Sequence, residues 1–331
     1  MKIDPQILSQ AALLFNLHVS DLRPLGGMEG MALEFNRHGL PFVLKITPKS
    51  KDNPTEAKRL EEKLKFIDFL AENSVCVSRP ILSPNGNWVE TVETDQTTYL
   101  VNILTKAEGK HLDLYQLRGG DPTFFQGWGQ VIGQMHRLAK SYKYWQKDST
   151  GRLPSSLIDD WRTEHQFFAN WCQYDDVRAK WIQLGRQIET LPINRASFGL
   201  IHNDLHPWNM LVTPQGEITV IDFDVCAYHF FIKDIAIAMF FANWNGRPAR
   251  NQSKDQYLNL FFQNFMTGYS QENTIDEFWL KQLPIFTKHH QILLFTVFTD
   301  EWKTPNKWQS DTLENWRRQI LDEIPVVRIQ I

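Results

Sequence analysis

The sequence predicts an α+β chain of two lobes, a small β-rich N-lobe and a larger, mainly helical C-lobe, and three observations lead there. Short alternating or β-branched runs broken by Gly, Pro and Asn crowd the first third of the chain. One stretch of helical period interrupts them. Beyond Lys106 the pattern changes to long segments with apolar residues at helical spacing. With 331 residues, 42% hydrophobic and 22% charged, the chain is long enough for two compact units and has no signature of disorder. The expected division is residues 1–106 and 107–331.

Asp4-Pro5 followed by Ile7, Leu8, Ala11, Ala12 and Leu14 reads as a short amphipathic helix with a capping Asp and a first-turn proline. Val19 to Leu25 and Met31 to Phe35 read as strands around the turn Gly26-Gly27-Met28-Glu29-Gly30. Gly39-Leu40-Pro41 then leads into a strand over Phe42 to Ile46. Leu60, Leu64, Ile67 and Leu70 place a helix between Pro54 and Asn73. Val75 to Leu82, Trp88 to Thr94 and Thr98 to Leu104 supply further strands. Helices are expected from Asp121-Pro122 to about Tyr142, from about Ser155 to Cys172, over Asp175 to Thr190, and again from Lys233 onward.

The net charge of -3 offers no basic field for gripping a nucleic-acid backbone, so no nucleic-acid partner is expected. Cys76, Cys172 and Cys226 are odd in number and lack metal-ligand spacing; they are read as small buried apolar residues in a reducing interior. No stretch approaches the ~18 apolar residues of a membrane span, and the N-terminus lacks a signal-peptide pattern. No membrane association and a cytoplasmic location are expected. The 22 Phe and 12 Trp are read first as core packing, with a sugar or cation pocket as the alternative.

The chemistry concentrates in Ile201-His-Asn-Asp-Leu-His-Pro-Trp-Asn209, followed by the turn Thr213 to Glu217 and the apolar strand Ile218 to Ile221 that ends at Asp222. Loop, strand, turn and strand bring Asp204, Asn209 and Asp222 to one edge. In a nucleotide-dependent kinase one carboxylate receives or orients the proton of the attacking hydroxyl, while an amide and a second carboxylate hold Mg2+ against the phosphates. The alternative is that Asp204 and Asn209 cap a turn and Asp222 closes a strand.

His-Asn-Asp-Leu-His-Pro-Trp-Asn resembles the catalytic loop of the aminoglycoside phosphotransferase and choline kinase superfamily, usually His-Gly-Asp-x-x-x-x-Asn. Ile221-Asp-Phe-Asp224 resembles its metal-binding segment, and Lys233-Asp-Ile-Ala236 its Asp-Ile-Ala helix start. The departure is Asn203 for Gly; Asn is the residue that best tolerates a left-handed backbone in its place. The resemblance implies a bilobal protein-kinase-like fold and ATP- and Mg2+-dependent transfer of the γ-phosphate to a hydroxyl of a small molecule, such as an amino alcohol, amino acid, sugar or aminoglycoside.

On that resemblance Asp204 is the catalytic residue and Asn209 and Asp222 are the metal ligands. Gly27 and Gly30 belong to a loop over the phosphates, Lys45 is the phosphate lysine, and the backbone of Thr105 and Ala107 meets the base. The family's glutamate partner for the lysine falls near Lys63; Glu62 is chosen, with Glu56 as substitute. His202 is expected to brace the loop, and Asp234 to be a helix N-cap or a loop anchor. Tyr228, His229, Phe230, Trp244 and Trp208 are either substrate contacts or packing. A non-catalytic nucleotide-binding protein of the same fold is the alternative. A peptide kinase is disfavoured because no Asp-Phe-Gly or Ala-Pro-Glu segment is present.

Overall fold

The computed structural model describes residues 3–26, 30–111, 117, 120–142 and 158–330. Its contacts divide the chain into two compact units, Met1–Lys110 with Thr219–Asp224, and His111–Ile218 with Val225–Ile331. The segment Thr219–Asp224 therefore folds with the first unit although it lies far along the chain.

The first unit opens with α1 (Pro5–Leu13). The Asp4 carboxylate accepts the N–H of Gln6 at 2.7 Å, and Pro5 takes the first helical position, where no N–H is needed. Strands β1 (Arg23–Gly26), β2 (Met31–Arg37) and β3 (Leu40–Ser50), helix α2 (Glu56–Glu72), and strands β4 (Pro80–Ile81), β5 (Glu90–Glu93) and β6 (Thr97–Thr105) follow. The strands form one antiparallel sheet in the order β1-β2-β3-β6-β4, with β5 also paired to β6.

Strand residues point alternately to opposite faces, and that period sorts this sheet. Leu44 and Ile46 of β3, Leu33 and Phe35 of β2, and Val101 and Ile103 of β6 share one buried core with Ile7, Ala11 and Phe15. Lys45 and Thr47 of β3, with Asn102 and Leu104 of β6, take the other face, where α2 supplies Leu60, Leu64 and Ile67. Lys45 pairs in register with Asn102.

Two expected strands are shorter than their sequence pattern. Val19–Asp21 is a 3-10 turn that precedes β1, and Val75 to Leu82 contracts to β4 plus a parallel bridge from Val77 to Val220.

In the second unit, after β7 (Lys110–His111) at the division, come α3 (Pro122–Ala139), α4 (Trp161–Trp171), α5 (Asp175–Glu189), β8 (Phe198–Ile201), β9 (Met210–Val212) and β10 (Ile218–Val220), the last crossing into the first unit at Thr219. β11 (Ala227–Phe230), α6 (Ile232–Asn245), α7 (Lys254–Tyr269), α8 (Glu277–Leu280), α9 (Leu283–Glu301) and α10 (Lys307–Leu321) complete it. Asp121 caps α3 and Asp160 caps α4. Helices α3 and α7 touch backbone to backbone: a Cβ on Gly129 would lie 1.8 Å from the Phe265 carbonyl oxygen, and one on Gly268 1.9 Å from that of Gln126.

β8 and β11 pair antiparallel, Ile201 opposite Ala227 and Phe198 opposite Phe230, with every residue of both strands buried. Tyr228, His229 and Phe230 are thus packed in the core of this unit, while Trp208 is exposed. α6 is apolar nearly all round and buried from Ile232 to Ala242, as a helix of that pattern must be. Among the described residues no helix is long and apolar enough to cross a membrane.

Candidate active site

β8 ends at Ile201 and releases the loop His202-Asn203-Asp204. Asn203 sits at φ 66°, so the left-handed conformation expected for a Gly replacement is the one adopted. The turn is pinned by Asp234, whose carboxylate accepts the N–H of His202 at 3.2 Å and of Asn203 at 2.9 Å. His136 Nε2 lies 3.2 Å from the same carboxylate, its Nδ1 lies 3.0 Å from the Tyr269 hydroxyl, and Asn273 donates to that hydroxyl at 2.7 Å. All of these groups are buried, and burial lowers the His136 pKa against the pull of Asp234. Because α6 begins at Ile232, Asp234 is the loop anchor and not the helix cap.

His202 braces the same loop, its Nδ1 accepting the Asp204 N–H at 3.3 Å. Asn209 Nδ2 donates to the Asp204 carbonyl at 2.9 Å and to its carboxylate at 3.2 Å. The Asp204 side chain keeps 34% exposure, enough to meet an incoming molecule. With its amide nitrogen spent on Asp204, Asn209 has its amide oxygen left to offer, a hard donor of the kind Mg2+ takes. His206 Nδ1 accepts the Trp208 N–H at 3.2 Å, its Nε2 lies 3.4 Å from the Asp204 carboxylate, and its ring packs on Phe241, so it holds the loop in shape.

In the first unit Asp222 follows β10 at φ 66°, a strained conformation for a residue with a Cβ and one that recurs at functional sites. Lys45 Nζ lies 3.3 Å from Asp222 Oδ1 and 2.8 Å from both carboxylate oxygens of Asp224. Burial works against the ammonium, but Asp224 and Asp222 outweigh it and raise its pKa. Burial likewise opposes the Asp224 carboxylate, and the charges of Lys45 and Lys63 nevertheless bring its pKa below the usual value.

The expected pairing of Lys45 with Glu62 is not made. Glu62 accepts from Lys65 at 2.9 Å, and Glu56 accepts from Asn53 at 2.7 Å and pairs with Arg59 at 3.2 Å. Neighbouring helix positions point in different directions, and α2 turns Lys63, along with Leu60, Leu64 and Ile67, toward this side of the sheet, where it donates to the Asp224 carbonyl. Lys45, Lys63, Asn102, Leu104, Asp222 and Asp224 help line a small cavity of about 40 Å3. Asp224 was visible in the sequence, but nothing local marked it as the lysine's partner.

Gly27 lies outside the described residues. Gly30 owes its lack of a side chain to the sheet: a Cβ there would sit 2.6 Å from the Ile46 carbonyl oxygen. Thr105 ends β6, its N–H donating to the Arg79 carbonyl and its Oγ1 accepting the Arg79 N–H, both at 2.8 Å; Ala107 follows, half-buried.

Behind the loop, Glu164, His229 and His289 place ligand-type atoms within 4.8 Å of one another. Lys233 already brings a cation there, its Nζ 3.1 Å from His289 Nδ1, and burial brings its pKa down to about 8. Glu164 also accepts from the Asn203 side chain, so this buried group is tied to the loop of Asp204.

Residues 31–270 match the model of the phosphotransferase enzyme family. Amicoumacin kinase of Bacillus subtilis (strain 168) is 26% identical over 329 residues, 98% of this chain and 94% of that protein. An amicoumacin kinase, hAmiN, solved in complex with AMP-PNP, Ca2+ and Ami, superposes with a TM-score of 0.86 at 27% identity, covering 99% of this chain and 96% of that one. A microcompartment-associated aminopropanol kinase shares the fold with a TM-score of 0.73 at 20% identity, over 96% and 95% of the two chains.

Proposed function

Because the chain belongs to the phosphotransferase enzyme family, we propose that it is a small-molecule kinase that moves the γ-phosphate of ATP, with Mg2+, to a hydroxyl group. The observation that carries this reading is the Asp204 loop: a left-handed Asn203 pinned on buried Asp234, with Asn209 bonded to a partly exposed Asp204. A carboxylate held this way has one face engaged and another open to a hydroxyl.

In the proposed reaction Asp204 orients the acceptor hydroxyl and receives its proton as the acceptor oxygen bonds to the γ-phosphorus. The bond from that phosphorus to the β–γ bridging oxygen breaks, and ADP leaves with the electron pair. Lys45 neutralises charge on the phosphates, and Asn209 and Asp222 are assigned to the metal. Their donors, an amide oxygen and a carboxylate, are the hard oxygen ligands a divalent ion of this size prefers. Mg2+ would supply charge neutralisation along the polyphosphate. Gly27 and Gly30 are assigned to the phosphate loop, and the backbones of Thr105 and Ala107 to the base. The three cysteines, none bridged, suit a reducing cytoplasm.

The relatives named above put Ami and aminopropanol first among acceptors to test, followed by choline, ethanolamine, homoserine, hexoses and aminoglycosides. A coupled assay of ADP release is expected to show Mg2+-dependent turnover above the water background with at least one of them. Mg-ATP binding without turnover on any would favour a non-catalytic nucleotide-binding protein.

A further inference from the structure

Helix α2 presents an ammonium group to the cavity that Lys45 lines, so the carboxylate that steadies Lys45 has to come from elsewhere in the fold. We propose that Asp224 is the positioning residue for Lys45, and that Lys63 in turn fixes Asp224, so that the three residues set the ammonium that meets the nucleotide's phosphates. This rests on the kinase reading above and adds to it the source of the lysine's alignment.

Both Asp224 oxygens lie 2.8 Å from Lys45 Nζ, whereas Asp222 offers one oxygen at 3.3 Å. Short charge-assisted contacts to both oxygens direct an ammonium more firmly than a single longer one. Lys63 donates to the carbonyl of the same Asp224, holding its backbone in place. The register supports the division: Lys45 reaches the cavity because Leu44 and Ile46 on either side are committed to the opposite core. With Asp222 assigned to a divalent ion, two ammonium groups face one remaining carboxylate in this cavity.

The test is nucleotide affinity by titration calorimetry, with ADP in EDTA and with AMP-PNP in Mg2+. Asp224→Asn is expected to weaken both by ~10- to 100-fold, the scale of a hydrogen bond to a charged group. Because the effect runs through Lys45, it should vanish in a Lys45→Met background. Placing the acid on α2 instead, in the double variant Asp224→Asn with Lys63→Glu, should restore most of the affinity; that recovery also shows that the protein folds. Asp224→Asn binding as tightly as wild type or tighter would mean that the carboxylate merely competes with phosphate for Lys45, and the proposal fails while the kinase reading stands. A double variant no better than the single one would also overturn it. A wild-type protein that binds neither nucleotide would remove the kinase reading and this inference together.

Discussion

The carboxylate of Asp234 lies 2.9 Å from the backbone nitrogen of Asn203. One buried acid on the first turn of α6 thereby holds the bend that presents Asp204, and the same acid takes the N–H of His202 and faces His136. Asp234→Ala would leave these buried donors without their acceptor. At ~1–3 kcal/mol for a buried unsatisfied polar group, the variant should lose at least about 2 kcal/mol of stability. Denaturant unfolding monitored by fluorescence checks this; a loss under about 0.5 kcal/mol contradicts the anchoring role.

The left-handed backbone at Asn203 makes a second prediction. Asn203→Val forces a β-branched residue to φ 66°, at about 1–2 kcal/mol of backbone strain, and removes the side-chain bonds to Glu164 and Val225. Asn203→Gly has the same lost bonds without that strain. Turnover should therefore rank wild type, then Gly, then Val, and a Val variant as active as the Gly variant would show that the loop does not need this conformation.

Helix α3 has no room for a methyl group where it meets α7. Gly129→Ala would drive a Cβ to 1.8 Å from the Phe265 carbonyl, so the helices must separate, at a cost of ~1–3 kcal/mol or more for overpacking. A melting temperature equal to wild type contradicts the close contact. Gly127, on the same helix, meets only Ile218 at 3.4 Å, so Gly127→Ala serves as the control.

Lys233 sets a pH dependence. Burial lowers its pKa from 10.5 to about 8 in the folded chain, so between those values the unfolded chain binds more protons and this group makes stability rise with pH. Its penalty is complete below about pH 8. The slope from one such group is at most about 1.4 kcal/mol per pH unit. Burial lowers Lys254 and Lys288 to about 8 as well, so the informative quantity is a difference. From pH 8 to about 9.5, wild type should gain more stability than Lys233→Met; equal gains would mean that Lys233 is not buried in solution.

What could be read in the sequence was what local rules govern. Asp4 and Asp121 cap helices through side chains two or three residues from their partners, and Asn203 takes the backbone angle its identity favours. The alternation through Leu44, Lys45 and Ile46 showed which residues share a face. Long-range choices left no such mark. A shift of one residue along α2 separates Glu62 from Lys63 and decides which side chain reaches the cavity, and helical period alone does not fix that phase. The aromatic run Tyr228 to Phe230 reads the same in a strand paired inside the core as on a substrate wall. Glycines that permit helix contact, such as Gly129 and Gly268, look like any others until the partner helix is in place.

The central claim is that Asp204 is the group that handles the acceptor's proton. The most direct measurement compares Asp204→Asn with wild type in turnover, using the acceptor found by ADP release, and in Mg-AMP-PNP affinity by calorimetry. Turnover should fall by ~10^2 to 10^4, the usual contribution of a positioned acid–base group, while affinity changes less than about threefold. Equal turnover in the two proteins would contradict the assignment.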